Sequence, residues 1–323
     1  MNRSTRNRTL TLEPAEQATL ARSLLRLRQP VSTSAVLDRI ICQDARDAVA
    51  HLPDAFVDLL VLDPPYNLTK QFGEQRFAAM PTNEYGAWME SWLAPMLRLL
   101  KPTATIYVCG DWRSSTAVQS VIERYLVVRN RITWEREKGR GALRNWKNSS
   151  EDIWFATLSD EYVFNVDAVK LKRRVLAPYR DESGRPKDWS DGHRLTHPSN
   201  LWTDLTVPFW SMPENTDHPT QKPEKLVAKL VLASSNPGDV VLDPFLGSGT
   251  TAVVAKKLGR RFLGVEFDER YACLALKRLS MADECPHIQG YSDGVFWERN
   301  SQPAARADPS IAHDEKAQPE FAF

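Results

Sequence analysis

The chain is poor in cysteine, has no long apolar run and carries almost no net charge. Its 4 cysteines, Cys42, Cys109, Cys273 and Cys285, are far apart and form no Cys-x-x-Cys pair. That spacing argues against a disulfide framework or a zinc site and fits a reducing compartment. Histidine is also scarce, 6 in 323 residues. No cluster with metal-ligand spacing is visible, so no metal is expected. No segment approaches the roughly 18 apolar residues a membrane span needs. The arginines near the N-terminus have no apolar run behind them, so they do not read as a signal peptide. A cytoplasmic protein with no membrane partner is expected. With 42 Lys+Arg against 41 Asp+Glu the formal charge is +1. Any surface for a polyanion must therefore be a local patch.

The chain is 42% hydrophobic, enough to bury one large α/β core or two modest ones. It has 10 tryptophans, read mainly as packing residues with a few as base-stacking platforms. Residues 1–34 read as a polar, Arg/Ser-rich arm with weak helical periodicity from 16 to 27. From about 298 the composition turns Ser/Gln/Pro/Ala/Asp-rich, and residues 283–323 read as a largely disordered tail.

Two blocks between these ends have α/β character. In the first, residues 35–135, the run Val57-Asp58-Leu59-Leu60-Val61-Leu62 stops at Asp63-Pro64-Pro65-Tyr66. An apolar run ending in Pro-Pro reads as a buried strand leaving its sheet, because proline cannot donate to the ladder. Residues 84–100 carry apolar side chains at helical spacing, and 105–110 read as a second strand. In the second block, residues 218–282, a helix over 224–234 is followed by a turn at Pro237-Gly238-Asp239. Then come a strand over 240–242, a loop over 243–249, a helix over 250–258 and a strand over 261–265 that ends at Glu266. This is the βαβ pattern of a doubly wound sheet. Residues 136–217 are irregular, basic and aromatic, and read as an inserted or separate module.

Asp243-Pro244-Phe245-Leu246-Gly247-Ser248-Gly249-Thr250-Thr251 follows a strand and opens a helix. Glycines let a ligand approach the backbone, and a helix N-terminus favours polar or anionic groups. Glu266, ending the next strand, is placed to accept from ribose hydroxyls. Together these describe an adenosine-type cofactor site. A P-loop would need Gly-Lys-Ser/Thr, and the loop has no lysine. A dinucleotide fingerprint would want a third glycine where Ala252 stands. A tight structural turn is the plain alternative.

Asp63-Pro64-Pro65-Tyr66 ends a strand, where α/β enzymes place catalytic groups. A carboxylate and a proline carbonyl can each accept one hydrogen bond from an NH2 group. Held about 3 Å away, they would pull that nitrogen toward tetrahedral geometry and localise its lone pair. Tyr66 can stack on a base rotated out of a duplex. The plain alternative is a strand-terminating turn whose aspartate caps a helix.

These segments resemble the motifs of DNA amino-methyltransferases. Asp63-Pro64-Pro65-Tyr66-Asn67 resembles their catalytic motif, and Asp243 to Gly249 their cofactor motif. His218-Pro219-Thr220-Gln221-Lys222-Pro223 is similar to the segment that helps hold the methionine part of S-adenosylmethionine. Cys42-Gln43-Asp44-Ala45 resembles the segment that reaches its adenine. The order, catalytic block before cofactor block, is the beta-class arrangement, and the resemblance spans roughly residues 38–282. It argues against glutamine or ribosomal-RNA methyltransferases, which share an Asn/Asp-Pro-Pro-Tyr loop but place the glycine loop first.

The resemblance implies a single α/β domain with a doubly wound, mostly parallel seven-stranded sheet, and residues 136–217 as its target-recognition region. Its cofactor would be S-adenosylmethionine and its partner double-stranded DNA. A second copy of the chain and a restriction endonuclease sharing the site are further expected partners. Asp63, Pro64, Pro65 and Tyr66 would be catalytic. Gln43, Asp44, Ala45, His218, Thr220, Lys222, Asp243, Pro244, Phe245, Gly247, Ser248, Gly249, Thr250, Thr251 and Glu266 would bind cofactor. Asp in the first catalytic position favours adenine N6, with cytosine N4 as the alternative.

Basic residues at 129–147, interleaved with Trp134 and Trp146, and a second cluster at 170–174 suit a DNA surface. Lys138, Arg140, Arg144, Lys147, Lys172, Arg173 and Arg174 are the candidates; a solvated charged face is the plain alternative. Gly139-Arg140-Gly141 reads as a loop that orders on DNA. Cysteine-based C5 methylation is disfavoured, since Tyr66 stands where a Pro-Cys nucleophile would be wanted. Transfer to RNA or a protein amide, and a non-catalytic DNA-binding module with a relic cofactor site, are the other classes weighed. His51, His193 and His197 read as surface or capping residues, and Cys42 and Cys273 as apolar fillers.

Overall fold

The computed structural model describes residues 7–299 and 301, apart from 73, 74, 137–142, 177, 178, 186 and 188. Its centre is an eight-stranded sheet. In chain order the strands are β1 (Arg39–Cys42), β2 (Val57–Leu62), β3 (Leu100–Gly110), β4 (Val127–Glu135), β5 (Ser150–Thr157), β6 (Leu201–Trp202), β7 (Val240–Asp243) and β8 (Arg261–Glu266). Their spatial order is β1-β8-β7-β2-β3-β5-β4-β6. All neighbours are parallel except that β5 runs antiparallel to both β3 and β4. Seven strands match the expected sheet; the two-residue β6 adds an eighth at the edge.

Among the described residues a four-residue helical turn at Thr33–Val36 and seven longer helices accompany the sheet: α1 (Pro14–Leu20), α2 (Ala45–Val49), α3 (Thr82–Met96), α4 (Ser115–Ile122), α5 (Glu224–Ser234), α6 (Thr250–Lys257) and α7 (Glu269–Met281). Successive strand side chains point to opposite faces. Leu59, Val61, Tyr107, Cys109 and Val241 therefore join one core with α5, α6 and α7. Leu60, Leu62, Ile106, Val108 and Leu242 join the other with α2, α3 and α4. The sheet is covered on both sides, which is why β2 reads as a near-continuous apolar run. The first block supplies the helices of one face and the second block those of the other.

The two blocks meet where β2 lies beside β7, with Leu59 opposite Val241 and Leu60 opposite Leu242. This is the switch point of a doubly wound sheet, where a crevice opens at the carboxyl ends of the strands. Asp63 and Asp243 leave the sheet there, side by side.

Three boundaries differ from expectation. The long helix stops at Met96 and a 3-10 turn covers Leu97–Leu99, so Leu100 and Lys101-Pro102 already belong to β3. Residues 136–217 are not a self-contained module: β5 is an interior strand, with Ile153, Trp154, Phe155 and Ala156 buried. The tail is ordered through its first part. Tyr291–Ser292 and Val295–Trp297 pair with each other and extend a sheet formed by Leu171–Arg174 and His193–Thr196.

The N-terminal arm is also tied down. Leu25 bridges Ile41 at the edge of β1, and Lys277 of α7 donates to the Thr11 carbonyl and pairs with Glu16. Among the described residues no helix is long and apolar enough to cross a membrane.

Candidate active site

A cleft of about 970 Å³ opens at the carboxyl end of the sheet. Its size suits a nucleoside-sized ligand together with a second group. Asp63, Pro64, Pro65 and Tyr66 line it, as do Gln43, Asp44, Ala45, His218, Thr220, Lys222, Asp243, Pro244, Phe245, Gly247, Ser248, Thr250, Thr251 and Glu266. Gly249 sits directly behind, in contact with α7. Segments some 200 residues apart in sequence thus share one cavity.

The loop of Asp63, Pro64, Pro65 and Tyr66 is held from outside, because its prolines have no N–H to hold it from within. Tyr85 donates its hydroxyl to the Pro65 carbonyl at 3.0 Å. Asn67 pairs twice with the Met80 backbone, each bond 2.8 Å, and its own N–H donates to Ser114 Oγ at 3.2 Å. Ser114 is fixed in turn by Asp111, whose Oδ1 accepts from its N–H and its hydroxyl. Pro64 is buried and lines the cleft.

At Asp63 the structure places two groups not assigned there by sequence. Lys222 Nζ lies 2.7 Å from each Asp63 carboxylate oxygen and 3.0 Å from Tyr66 Oη. The resemblance had assigned Lys222 to the methionine part of the cofactor. Glu151, at the start of β5, lies 3.4 Å from Lys222 Nζ and accepts from Tyr66 Oη at 3.0 Å. Its other oxygen takes Arg136 Nη1 at 2.5 Å. Burial disfavours the Glu151 charge, but Lys222 and Arg136 outweigh it and hold the carboxyl below its usual range. Burial likewise opposes the Lys222 charge, and Asp63 with Glu151 overcomes it, so its pKa is raised. Burial and both carboxylates push the Tyr66 hydroxyl well up, keeping it a neutral donor.

Glu151 was invisible in the sequence because it lies in the stretch read as an insert. Strand direction explains its position. In an antiparallel strand the N-terminal end lies at the sheet edge where parallel strands finish, and Glu151 pairs with Trp134 near the end of β4.

The glycine loop is built for close approach. Gly247 has φ +54° and Gly249 φ +87°. A Cβ on Gly247 would stand 3.1 Å from His218 Nε2, and one on Gly249 2.5 Å from Ala275 Cβ. Asp243 shapes the loop from below: its carboxylate accepts from Phe245 N–H at 2.9 Å and Thr251 Oγ1 at 2.6 Å. Glu266 accepts from Gly247 N–H at 2.7 Å and Asp268 N–H at 2.8 Å. Burial pushes both carboxyls up to about 7. Burial, with the cations Lys222, Lys70 and Arg278, lowers His218 to about 3, so its ring is neutral. That ring meets Tyr271 edge-on at 4.5 Å.

Acidic Asp243 and Glu266, a loop without side chains at Gly247, and aromatic Phe245 form one wall. They fit a cationic adenosine-bearing ligand. Two nearby roles are structural: Asp44 caps α2 by accepting from Arg46 N–H, and Gln43 Oε1 accepts from Leu27 N–H.

The basic candidates divide. Lys138 and Arg140, with the Gly139-Arg140-Gly141 loop, lie outside the described residues. Arg144 and Lys147 are exposed just before β5. Lys172 Nζ lies 4.5 Å from the Trp297 ring centre, Arg173 pairs with Glu298 at 3.2 Å, and Arg174 is exposed. Cys42 and Cys273 are buried, and His193 packs edge-on to Trp297.

Comparison with known proteins bears on the same cleft. A family described as DNA methylase matches residues 57–277. The type II methyltransferase M.HpaI of Haemophilus parainfluenzae is 33% identical over 75% of this chain and 74% of its own. The DNA adenine methyltransferase YhdJ of Escherichia coli K12 is 33% identical over 75% of this chain and 83% of its own. Among solved structures, M1.HpyAVI in complex with SAM superposes with TM-score 0.52 at 25% identity, covering 74% of this chain and 98% of that one. The cytosine-N4-specific PvuII DNA methyltransferase shares the fold, with TM-score 0.56 at 18% identity over 78% of this chain and 89% of that one. The chain belongs to the S-adenosylmethionine-dependent DNA methylase family whose members modify adenine N6 or cytosine N4.

Proposed function

We propose that this chain methylates adenine N6 at one DNA sequence, on a base turned out of the duplex into the cleft. The observation that carries the reading is Asp63 at the carboxyl end of β2, beside the Pro64 carbonyl, in a loop clamped by Tyr85 and Asn67. The relative named as an adenine methyltransferase supports the choice of base.

Asp63 accepts one hydrogen of the amino group and the Pro64 carbonyl the other. Together they localise the nitrogen lone pair as positive charge develops on it. S-adenosylmethionine, when bound, supplies a methyl group activated on a sulfonium. Asp63 is the first acceptor for the proton the amino nitrogen sheds. Tyr66 offers a ring for the base to stack on. Glu266 holds ribose hydroxyls, the 247–249 backbone admits the cofactor, and Gln43 to Ala45 with His218 and Thr220 close its sides. No covalent link to the protein is needed; holding the reacting groups together supplies much of the rate.

Of the described DNA-binding candidates, Arg144, Lys147 and Arg174 are exposed and free to meet phosphates, with Lys138 and Arg140 near the first two in sequence. A homodimer, and an endonuclease reading the same site, are the partners we add; the type II names of two relatives support the second. A cytoplasmic location fits action on bacterial DNA.

The test is incubation with methyl-labelled S-adenosylmethionine and unmethylated bacterial DNA, then mass spectrometry of the nucleosides. Label in N6-methyladenine, reduced about 10²- to 10³-fold in Asp63→Asn, is the expected result. Label in N4-methylcytosine overturns the base assignment. No label in DNA, with cofactor bound, overturns the function.

A further inference from the structure

Glu151 and Lys222 stand among the reacting groups, yet the chemistry above uses neither. An ammonium has three hydrogens to donate. Lys222 spends them on Asp63 Oδ1, Asp63 Oδ2 and Tyr66 Oη, at 2.7, 2.7 and 3.0 Å. With the Tyr66 hydroxyl also on Oδ1, three of the roughly four lone-pair sites of the Asp63 carboxylate are taken, and the lysine competes on both oxygens with a target amino group. It also opposes the reaction by charge, since a cation against Asp63 cancels the field that should stabilise a developing cation on the amino nitrogen.

Lys222 cannot simply leave. Its side chain is 11% exposed, and an ammonium stranded without a counterion in such a place is strongly disfavoured. Glu151 offers the alternative. Its side chain is 9% exposed, and its Oε2 already lies 3.4 Å from Lys222 Nζ, so a shift of under about 1 Å turns the ion pair into a hydrogen bond. Tyr66 Oη bridges both carboxylates, at 3.1 Å to Asp63 and 3.0 Å to Glu151, and can follow the ammonium. Arg136 holds the far oxygen of Glu151 at 2.5 Å and keeps that carboxylate charged and in place.

We propose that Glu151 is a positioning residue that receives the Lys222 ammonium when a target amino group displaces it from Asp63. The inference rests on the functional reading above. Lys222 holds the Asp63 carboxylate oriented, then yields one oxygen to the incoming N–H. Glu151 makes that exchange cheap, because the ammonium keeps a carboxylate partner throughout.

The test compares wild type, Glu151→Gln, Lys222→Met and the double variant. Each is assayed for kcat and KM on bacterial DNA, for cofactor Kd by calorimetry and for thermal stability. Glu151→Gln should lose at least tenfold in kcat/KM with cofactor Kd within threefold, because the ammonium stays locked on Asp63. Glu151→Asp should recover part of the loss. Lys222→Met should lower KM for DNA at least threefold, its competitor being gone. The double variant should be faster than Glu151→Gln alone, since no ammonium remains to be re-seated.

A double variant as slow as or slower than Glu151→Gln overturns the proposal, as does a fully active Glu151→Gln. Should Glu151→Gln fail to fold, Lys222→Met decides: a DNA KM equal to or above wild type overturns it. If wild type labels no DNA, the functional reading falls and this inference with it. If wild type labels DNA and the variants behave additively, only the Glu151–Lys222 exchange falls.

Discussion

The Tyr85 hydroxyl donates to the Pro65 carbonyl at 3.0 Å, so a tyrosine in the first turn of α3 fixes the second proline of the catalytic loop. The side chain is buried, and burial raises its pKa far enough that the hydroxyl stays a donor at all working pH values. Tying up Pro65 leaves the Pro64 carbonyl as the loop acceptor beside Asp63. Tyr85→Phe removes one neutral hydrogen bond, costing about 1 kcal/mol of stability. The loop loosens, so kcat should fall severalfold while cofactor Kd holds. Denaturant titration and steady-state kinetics read the two effects separately; an unchanged kcat would mean that the loop needs no such tie.

A second expectation concerns pH. Burial places the ordinary switch of Glu266 and Asp243 at about 7. Ionised Glu266 is the better acceptor for ribose hydroxyls, so cofactor affinity should weaken severalfold from pH 8 to 6.5. Glu266→Gln should bind more weakly at pH 8 and lose most of that dependence. Stability of the ligand-free protein should move the other way. A carboxyl whose folded pKa is raised contributes stability that is present below its unfolded pKa of about 4 and lost as pH rises through about 7. Glu214, pushed up to about 8 by burial beside Glu224, has the same sign. His218, lowered to about 3 by burial, has the opposite sign and offsets part of this at the acid end of the window, because in the unfolded chain it charges around pH 6.5; the three carboxyls outnumber it. Calorimetric Kd and melting temperature, taken across the same buffers, should therefore trend oppositely. Parallel trends would remove both carboxyls from the argument.

The glycine loop gives a third. Gly249 has φ +87°, and an added Cβ would lie 2.5 Å from Ala275 Cβ of α7. Left-handed backbone costs an alanine roughly 1–2 kcal/mol, and overpacking adds roughly 1–3 kcal/mol. Gly249→Ala should therefore lower Tm by roughly 5–10 °C. Alanine at Gly259, where φ is +72° but nothing lies within 4 Å of the added Cβ, should cost only the backbone part. Equal losses in the two variants would show that contact with Ala275 is not what requires glycine at 249.

The elements that carried clear local signals were legible in the chain. Val57–Leu62 is a strand over its whole expected length, because a doubly covered strand is apolar on both faces and proline ends it. The helix after Gly249 and the strand ending at Glu266 follow equally from glycine, periodicity and a terminal carboxylate. The Asp63 to Tyr66 and Asp243 to Thr251 segments stood out because each is short and contiguous, and the fold brings both to one cleft. The partners of the arm and of the first part of the tail were not legible for the opposite reason. Leu25, Glu16, Phe296 and Trp297 meet partners far away in sequence, which local polarity does not reveal.

What the sequence by itself determined is the set of reactive segments and their order, since Asp-Pro-Pro-Tyr and the glycine loop work through local backbone chemistry. What only the tertiary structure decided is which charges meet. Glu151 reaches Asp63 because β5 runs antiparallel and brings its first residues to the carboxyl edge of the sheet. Lys222 reaches it because the start of α5 packs at the same edge, so that its ammonium meets Asp63 rather than solvent. Electrostatic partnership falls off over a few ångströms of space and is indifferent to sequence separation, which is why these two residues acquire their meaning only in the folded chain.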